Sequence, residues 1–149
     1  MKRLIIFGIG QIAEVAHYLF TEDSAFEVSG FTVDAKYCDR LEHLGVPVVP
    51  FETVTEAFPP DDFSIFIAIG YGDLNKQRTA KVAEARCKGY RLASYASSRA
   101  WIWRGFRTEP NTMIMEHNTI QPYVNIGENC ILWSGNHIGH HTQIGENVF

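Results

Sequence analysis

The sequence lacks a long apolar run, has only three cysteines and carries no excess of positive charge. No apolar segment approaches the roughly 18 residues that a membrane-spanning helix needs, so we expect no membrane partner. The opening segment 2–8 has a short apolar run that leads into a glycine turn, which favours a first strand over a signal peptide. A net charge of −4 argues against nucleic acid as a partner, because phosphate binding requires a basic face.

The cysteines Cys38, Cys87 and Cys130 are widely scattered and form no spacing typical of a metal site. Their odd number and their scatter favour a reducing compartment, so we expect a cytoplasmic protein. A length of 149 residues allows one ordinary domain, or two small domains that share an interface.

The first hundred residues alternate between strand-like and helix-like segments. Five short apolar segments have strand character, at 2–7, 26–33, 46–49, 63–69 and 90–95. Three segments with helical features separate them, at 11–21, 53–58 and 74–88. This order favours a parallel sheet with both faces covered, and Pro47 indicates that its strand lies at the edge.

A six-residue repeat replaces the helical pattern after about Trp103. Large aliphatic residues occupy every sixth position, at Ile114, Ile120, Ile126, Leu132, Ile138 and Ile144. This period predicts a triangular parallel coil with inward aliphatic side chains and tight corners that need glycine or asparagine. Three hexads close a coil of 18 residues, so Ile114 should lie over Leu132, Ile120 over Ile138 and Ile126 over Ile144. A β-meander with chance spacing is the alternative.

The two halves together resemble the bacterial sugar O-acyltransferase family, which includes sialic acid O-acetyltransferases and UDP-amino-sugar N-acetyltransferases. The resemblance rests on segments of both halves, IIFGIGQIA (5–13), GFTVD (30–34), AIGY with Asn75 and Arg78 (68–78), ILWSGN (131–136) and HHTQIG (140–145). It implies an α/β fold with a small Rossmann-like domain over 1–100 that binds a nucleotide sugar. It also implies a left-handed parallel β-helix over 101–149, a homotrimer, and acetyl-CoA as co-substrate.

Members of that family continue through several further coils. This chain stops at Phe149 within a repeat, so we expect a truncated β-helix. In such a form, nucleotide binding can survive while acetyl transfer is weak or absent.

The turn after the first strand is a candidate nucleotide site, with the sequence Gly-Ile-Gly-Gln-Ile-Ala over 8–13. Gly8 permits a tight turn, Gly10 lets the backbone approach a diphosphate, and the helix start at Gln11 and Ile12 supplies N–H donors. Asp34, about 20 residues downstream, is placed to contact a ribose or a base. NAD is the generic ligand of such a turn, but only one small sheet is available and the resemblance implies a sugar nucleotide. A turn without a ligand is the structural alternative.

The segment after the most apolar strand adds further substrate-binding candidates. Gly70 and Tyr71 fall at the carboxyl edge of the predicted sheet, where ligands bind in open α/β sheets. We expect Tyr71 to stack on the base or the sugar, with a structural role as the alternative. We expect Arg78, in the following helix, to reach a phosphate, with a solvated surface arginine as the alternative.

The histidines His137, His140 and His141 form a cluster without a suitably spaced cysteine or carboxylate, so no metal is expected. Acyl transfer needs a base to accept the proton of the attacking amine or hydroxyl, and imidazole suits that role near neutral pH. The resemblance aligns His140 with the catalytic base and His141 with a position that usually holds Asp or Glu. Glu116 of a neighbouring subunit is an alternative partner, and Asn136 is a candidate to support the oxyanion.

Three functions are therefore open. The first is an acetyl-CoA-dependent N- or O-acetyltransferase acting on a nucleotide-activated amino sugar in bacterial surface-glycan biosynthesis. The second is a non-catalytic, oligomerising module that binds sugar nucleotides. The third is a small NAD(P)-binding regulatory domain. In the purely structural alternative for the cluster, the histidines are surface residues at the corners of the coil.

Overall fold

The structure, a computed structural model, describes residues 1–149 and begins with a mixed α/β region. Its six strands are β1 (Lys2–Phe7), β2 (Phe26–Val33), β3 (Glu42–His43), β4 (Val46–Pro50), β5 (Phe63–Ile67) and β6 (Arg91–Leu92). Its three helices are α1 (Gln11–Glu22), α2 (Val54–Ala57) and α3 (Lys76–Cys87). The strands lie in the order β3-β4-β2-β1-β5-β6, and every pairing is parallel except that of β3 with β4.

Both faces of this sheet are covered, as the continuous apolar strands predict. On one face, Leu4 and Ile6 of β1 share a core with Phe20 of α1. On the other face, Ile5 of β1 packs in a core that includes Val82 of α3. The alternation along β1 therefore places neighbouring residues in two different cores.

Four predicted elements differ from the structure. Strand β5 ends at Ile67 and not at residue 69. The edge strand is the two-residue β3, which pairs with β4 and moves Pro47 one position inward. The predicted strand at 90–95 divides, because β6 ends the sheet at Leu92 while Tyr95–Ala96 joins the coil. Helix α3 begins at Lys76, two residues later than predicted, because Asp73, Leu74 and Asn75 have positive φ angles.

The second half of the chain forms a parallel coil of two-residue strands. These are β7 (Tyr95–Ala96), β8 (Trp101–Ile102), β9 (Met113–Ile114), β10 (Thr119–Ile120), β11 (Asn125–Ile126), β12 (Ile131–Leu132), β13 (His137–Ile138) and β14 (Gln143–Ile144). They form three ladders, β7-β9-β12, β8-β10-β13 and β11-β14. The predicted stacking is confirmed, since Ile114 pairs with Leu132, Ile120 with Ile138 and Ile126 with Ile144.

The corners of the coil share one backbone feature. The residue three places after each repeated aliphatic has a positive φ angle, at His117, Tyr123, Asn129, Gly135, His141 and Asn147. Glycine and asparagine fill three of these six corners, as predicted, and histidine or tyrosine fills the others. Histidine and tyrosine rarely adopt this left-handed backbone conformation. At Tyr123 and His141, ring contacts with residues of adjacent coils accompany it.

The coil packs against the sheet through its first ladder. Met113, Met115 and Ile131 are buried in the same core as Phe20 and Phe66 of the α/β region. The interior of the coil forms a separate cluster that contains Ile114, Ile120, Val124, Ile126, Cys130 and Leu132. None of the three helices has the length and apolar character that crossing a bilayer would require.

Candidate functional site

The turn between β1 and α1 has the geometry that its two glycines suggest. Gly8 has a φ angle of +117°, and a Cβ atom there would lie 2.8 Å from the carbonyl oxygen of Ala68. The same Cβ would lie 3.4 Å from Cβ of Ala13, so strand and helix approach closely at this point. Gly10 caps α1 with no side-chain hydrogen bond, and a Cβ there would meet no atom within 4 Å. The N-terminus of α1 is therefore open to an anion.

A cavity of about 520 Å³ lies at the carboxyl edge of the sheet. Gly8 and Asp34 line it, together with Lys36, Tyr37 and Lys81. The ammonium of Lys81 donates to Asp34 Oδ1 at 2.8 Å and to Glu84 Oε2 at 2.9 Å. Burial alone would lower the pKa of Lys81, but these two hydrogen bonds raise it above its ordinary value. The predicted Asp34 therefore lies in a cavity and is held by a lysine that the sequence did not single out.

A second opening, an apolar groove of about 500 Å³, lies between α1 and the coil. Four predicted substrate-binding residues line it, Gln11, Ile12, Gly70 and Tyr71. Trp133 and Phe149 of the coil complete the lining with Val15. The ring of Phe149 lies 5.1 Å from that of Tyr71 and 6.0 Å from that of Trp133.

The groove and the cavity are neighbours along the carboxyl edge, because Gly8 and Ile69 line the cavity while Gln11 and Gly70 line the groove. The coil contribution was missed from the sequence. Trp133 directly follows an inward aliphatic, and the sequence does not specify which surface its ring faces.

Arg78 differs from its prediction. It is fully buried, and its guanidinium donates to Asn129, Gly70, Asn75 and Val148, so it is neither a surface residue nor open to a phosphate. Burial lowers the pKa of Arg78, and no carboxylate neutralises it. Carbonyl and amide oxygens solvate the cation instead.

The histidine pair lies at an exposed corner of the coil, between β13 and β14. Nδ1 of His140 lies 3.0 Å from Nδ1 of His141, so one imidazole donates and the other accepts. The His141 ring lies over Tyr123 at a centroid distance of 4.9 Å, and Tyr123 lies 5.4 Å from Trp103. These three residues, 18 or 20 positions apart, form an aromatic column that supports His141 in its left-handed conformation.

The expected partners of the pair have other contacts. Asn136 Nδ2 donates to the carbonyl of Trp133 at 2.7 Å, and the equivalent Asn118 donates to the carbonyls of Met115 and Trp133. Asn136 therefore closes a corner, with one amide hydrogen left for another acceptor. No carboxylate forms an ion pair with His140 or His141, and neither histidine lines the cavity or the groove. No group of three or more His, Cys, Asp or Glu side chains is arranged to hold a metal ion.

Comparison with solved structures places this geometry on a known fold. The acetyltransferase domain of PglB from Neisseria gonorrhoeae aligns with 98% of the chain at a TM-score of 0.78 and 15% identity. A second similar structure is a histidine-to-asparagine mutant of perosamine N-acetyltransferase from Caulobacter crescentus, in complex with CoA and GDP-perosamine. It aligns with 97% of the chain at a TM-score of 0.79 and 21% sequence identity. The PglB domain in complex with acetyl coenzyme A aligns with 97% of the chain at a TM-score of 0.57 and 16% sequence identity.

The chain spans 69% of the first of these structures, 66% of the second and 85% of the third. At these identities the similarity shows a shared fold. The sequence matches no protein-family model and no curated protein.

Proposed function

We propose that the chain is an acetyl-CoA-dependent acetyltransferase that acts on a nucleotide-activated amino sugar in bacterial surface-glycan biosynthesis. One observation carries the proposal: the chain shares its fold, over 97–98% of its length, with acetyltransferase structures. One such structure is a complex with CoA and GDP-perosamine, and another is a complex with acetyl coenzyme A. We keep N- and O-acylation as alternative outcomes.

The proposed architecture follows the family that the sequence resembles. Residues 1–100 form a Rossmann-like domain for the nucleotide sugar, and 101–149 form the first coils of a left-handed β-helix. The pairing of β7 with β9 extends the coil back to Tyr95, which lies six residues before the proposed boundary at 101. The protein acts in the cytoplasm as a homotrimer.

The nucleotide occupies the cavity beside Asp34, and the diphosphate lies over the open N-terminus of α1 at Gly10. The sugar extends into the groove lined by Gln11, Ile12, Gly70 and Tyr71. Support comes from the adjacency of the two openings along one sheet edge and from the unpartnered N–H groups of the first helical turn. Arg78 has no part in this contact, because its guanidinium is enclosed by protein acceptors.

In the proposed chemistry, His140 acts through Nε2. In the tautomer that this role requires, Nδ1 of His140 is the donor in its 3.0 Å contact with Nδ1 of His141. A lone pair then remains on Nε2 to accept the proton of the sugar amine or hydroxyl. The nucleophile attacks the thioester carbonyl of acetyl-CoA, the C–S bond breaks, and the proton passes from His140 to the departing thiolate. The free amide hydrogen of Asn136, or the backbone N–H of Gly139, stabilises the oxyanion. The backbone N–H of Gly135 already donates to the carbonyl of Glu116 at 3.2 Å.

The histidines belong to neither opening within one chain, which supports a shared site in the proposed trimer. In that arrangement the corner at 139–142 of one subunit faces the groove of its neighbour. Acetyl-CoA then lies along the coil between the two subunits.

The test compares the chain with two single variants, His140→Ala and His137→Ala. CoA release is measured with acetyl-CoA and UDP-, dTDP- and GDP-linked amino sugars, and calorimetry measures binding of each sugar nucleotide. We expect His140→Ala to lose activity by about a hundredfold or more while sugar-nucleotide affinity is unchanged, since a general base contributes about this much. His137→Ala, an exposed histidine of the same corner region, should retain activity. Unchanged turnover in His140→Ala would contradict the assignment.

A non-catalytic sugar-nucleotide-binding module is the second candidate. The absence of a carboxylate beside His140 favours it, because the imidazolium formed during transfer then lacks a fixed negative charge. Binding of a sugar nucleotide without CoA release in the unaltered chain would support the module over the enzyme.

A further inference from the structure

We propose that Arg78 is a positioning residue that fixes the loop 70–75 against the coil and thereby shapes the groove. The proposal rests on the proposed function only where it concerns the substrate, since the groove is assigned to the sugar there. Its structural part concerns one buried cation and the loop that surrounds it.

The guanidinium of Arg78 has five N–H donors, and each has an acceptor. Nε donates to Asn129 Oδ1 at 3.0 Å, and Nη2 donates to the carbonyls of Asn129 and Val148 at 2.9 and 3.4 Å. Nη1 donates to the carbonyl of Gly70 and to Asn75 Oδ1, both at 3.1 Å. One side chain of α3 therefore binds the groove loop on one side and two coils on the other.

The loop 70–75 needs these hydrogen bonds because three of its residues have an energetically unfavourable backbone conformation. Asp73, Leu74 and Asn75 have φ angles of 51°, 52° and 65°, and left-handed conformations cost non-glycine residues about 1–2 kcal/mol each. Three in succession persist only when contacts outside the segment hold them. Arg78 binds the carbonyl of Gly70 at the start and the side chain of Asn75 at the end. Asn75 Nδ2 also donates to the carbonyl of Asn147 at 2.9 Å.

The coil side of this network is a column of equivalent asparagines. Asn111 Nδ2 donates to Asn129 Oδ1 at 2.9 Å, and Asn129 Nδ2 donates to Asn147 Oδ1 at 2.8 Å. Asn111 also binds both backbone groups of Ile67, the last residue of β5, at 2.7 and 3.3 Å. The strand that leads into the loop is therefore tied to the same column that Arg78 contacts.

The loop determines part of the groove wall. Gly70 and Tyr71 line the groove opposite Trp133 and Phe149, and Tyr71 is 70% exposed with its ring against Phe149. Release of the Gly70 carbonyl would free Tyr71 to move relative to the coil. Arg78 thus affects the groove without contacting its contents.

The first arm of the test needs no substrate. Hydrogen–deuterium exchange of segment 69–76 is measured in the unaltered chain, in Arg78→Met and in Arg86→Met. Arg86 is the matched control, because it also connects α3 to the coil. Its Nη1 donates to Glu128 Oε1 at 3.0 Å, and this contact is exposed to solvent. We expect exchange in 69–76 to be at least about tenfold faster in Arg78→Met, since losing buried hydrogen bonds shifts a local equilibrium by that much. Arg86→Met should leave it unchanged.

A second pair of variants covers the case in which Arg78→Met does not fold. Asn75→Gly removes both side-chain hydrogen bonds of Asn75 and keeps the positive φ angle without strain. Asp73→Gly adds the same backbone freedom in the same loop without removing a hydrogen bond of the network. Faster exchange in Asn75→Gly than in Asp73→Gly supports the proposal. Equal exchange in the two, or unchanged exchange in Arg78→Met, overturns it.

The second arm measures kinetics or binding with the sugar nucleotide that the chain uses. Arg78→Lys, which has fewer donors, should raise KM or Kd for the sugar nucleotide at least about tenfold and leave kcat within about twofold. This result is expected when binding weakens equally in the ground state and the transition state. Faster exchange with unchanged KM and Kd would retain the loop role and contradict the assignment of the groove to the sugar. A loss of kcat alone would contradict a positioning role for Arg78.

Discussion

His140 and His141 form a pair of imidazoles, in which His141 stands where the family that the sequence resembles usually has Asp or Glu. With Nδ1 atoms 3.0 Å apart, one ring donates and the other accepts, so His141 can fix the tautomer of His140 as a carboxylate would. The difference lies in charge, because a neutral imidazole offers a lone pair and a carboxylate offers a full negative charge to an imidazolium. In the proposed mechanism, His141 therefore orients the base and stabilises its protonated form only weakly.

Replacing His141 tests this distinction. His141→Asp retains an acceptor in a residue type that tolerates a left-handed backbone, so we expect CoA release to rise by about tenfold. His141→Phe keeps the ring on Tyr123 but removes the nitrogen, so activity should fall at least about tenfold. Measuring steady-state kcat of the two variants tests whether His141 orients His140. Equal kcat values would show that it does not.

Single residues were the least predictable part of this molecule. The adjacency of His140 and His141 is visible in the sequence, but the column under His141 requires both the 18-residue stacking and the left-handed corners. The position of Arg78 in a helix after the carboxyl edge of the sheet predicts a phosphate contact, which the structure does not show. The acceptors of Arg78 lie up to 70 residues away in sequence, and several are carbonyls that have no sequence signature.

At the scale of elements, the turn between β1 and α1 assigns different roles to its glycines. Gly8 is required by the backbone, since φ is +117° and a Cβ would lie 2.8 Å from the Ala68 carbonyl oxygen. Gly10 has a φ of −88° with open space around it, so the fold does not require glycine there. If the protein needs glycine at position 10, the reason must be a bound ligand.

Alanine substitutions separate the two roles. We expect Gly8→Ala to lower the free energy of unfolding by about 2 kcal/mol or more, because it combines a strained φ with a backbone contact. Gly10→Ala should change it by less than about 0.5 kcal/mol but weaken sugar-nucleotide binding, since its Cβ would obstruct the approach to a diphosphate. Urea denaturation and calorimetry measure the two effects. A destabilised Gly10→Ala variant, or one with unchanged affinity, would contradict a ligand role for Gly10.

Elements with strong periodicity were predictable and short ones were not. The hexads predicted the coil and its register, because inward aliphatics recur at a fixed spacing along the whole segment. The strand β3 has two residues and no pattern, and the division of 90–95 between β6 and β7 depends on which neighbour each half pairs with. Such choices are made by tertiary packing rather than by local sequence.

At the scale of the whole molecule, the coil and the sheet are joined at two ends of one contact surface. At one end, Asp23 after α1 accepts from the hydroxyl of Tyr95 at 2.8 Å and from the backbone N–H of Ser98 at 2.9 Å. At the other, α3 reaches the coil through Arg78 and through the Arg86–Glu128 ion pair. Between them lies the shared apolar core that contains Met113. The two halves are expected to unfold together, since each covers apolar surface of the other.

Acid should loosen this junction. Hydrogen bonds from Ser98 and Tyr95 lower the pKa of Asp23, and the Arg86 guanidinium lowers that of Glu128. Groups with depressed folded-state pKa values contribute stability above the unfolded-state value, near about pH 4, and lose it as the pH falls through the folded-state value. We expect the Tm to fall steeply below about pH 4, and a double variant with Asp23→Asn and Glu128→Gln to have a lower Tm at pH 7 but a shallower fall. Thermal unfolding followed by circular dichroism between pH 7 and pH 3 measures both slopes. Parallel curves for the two proteins would show that other carboxylates set the acid limit of the fold.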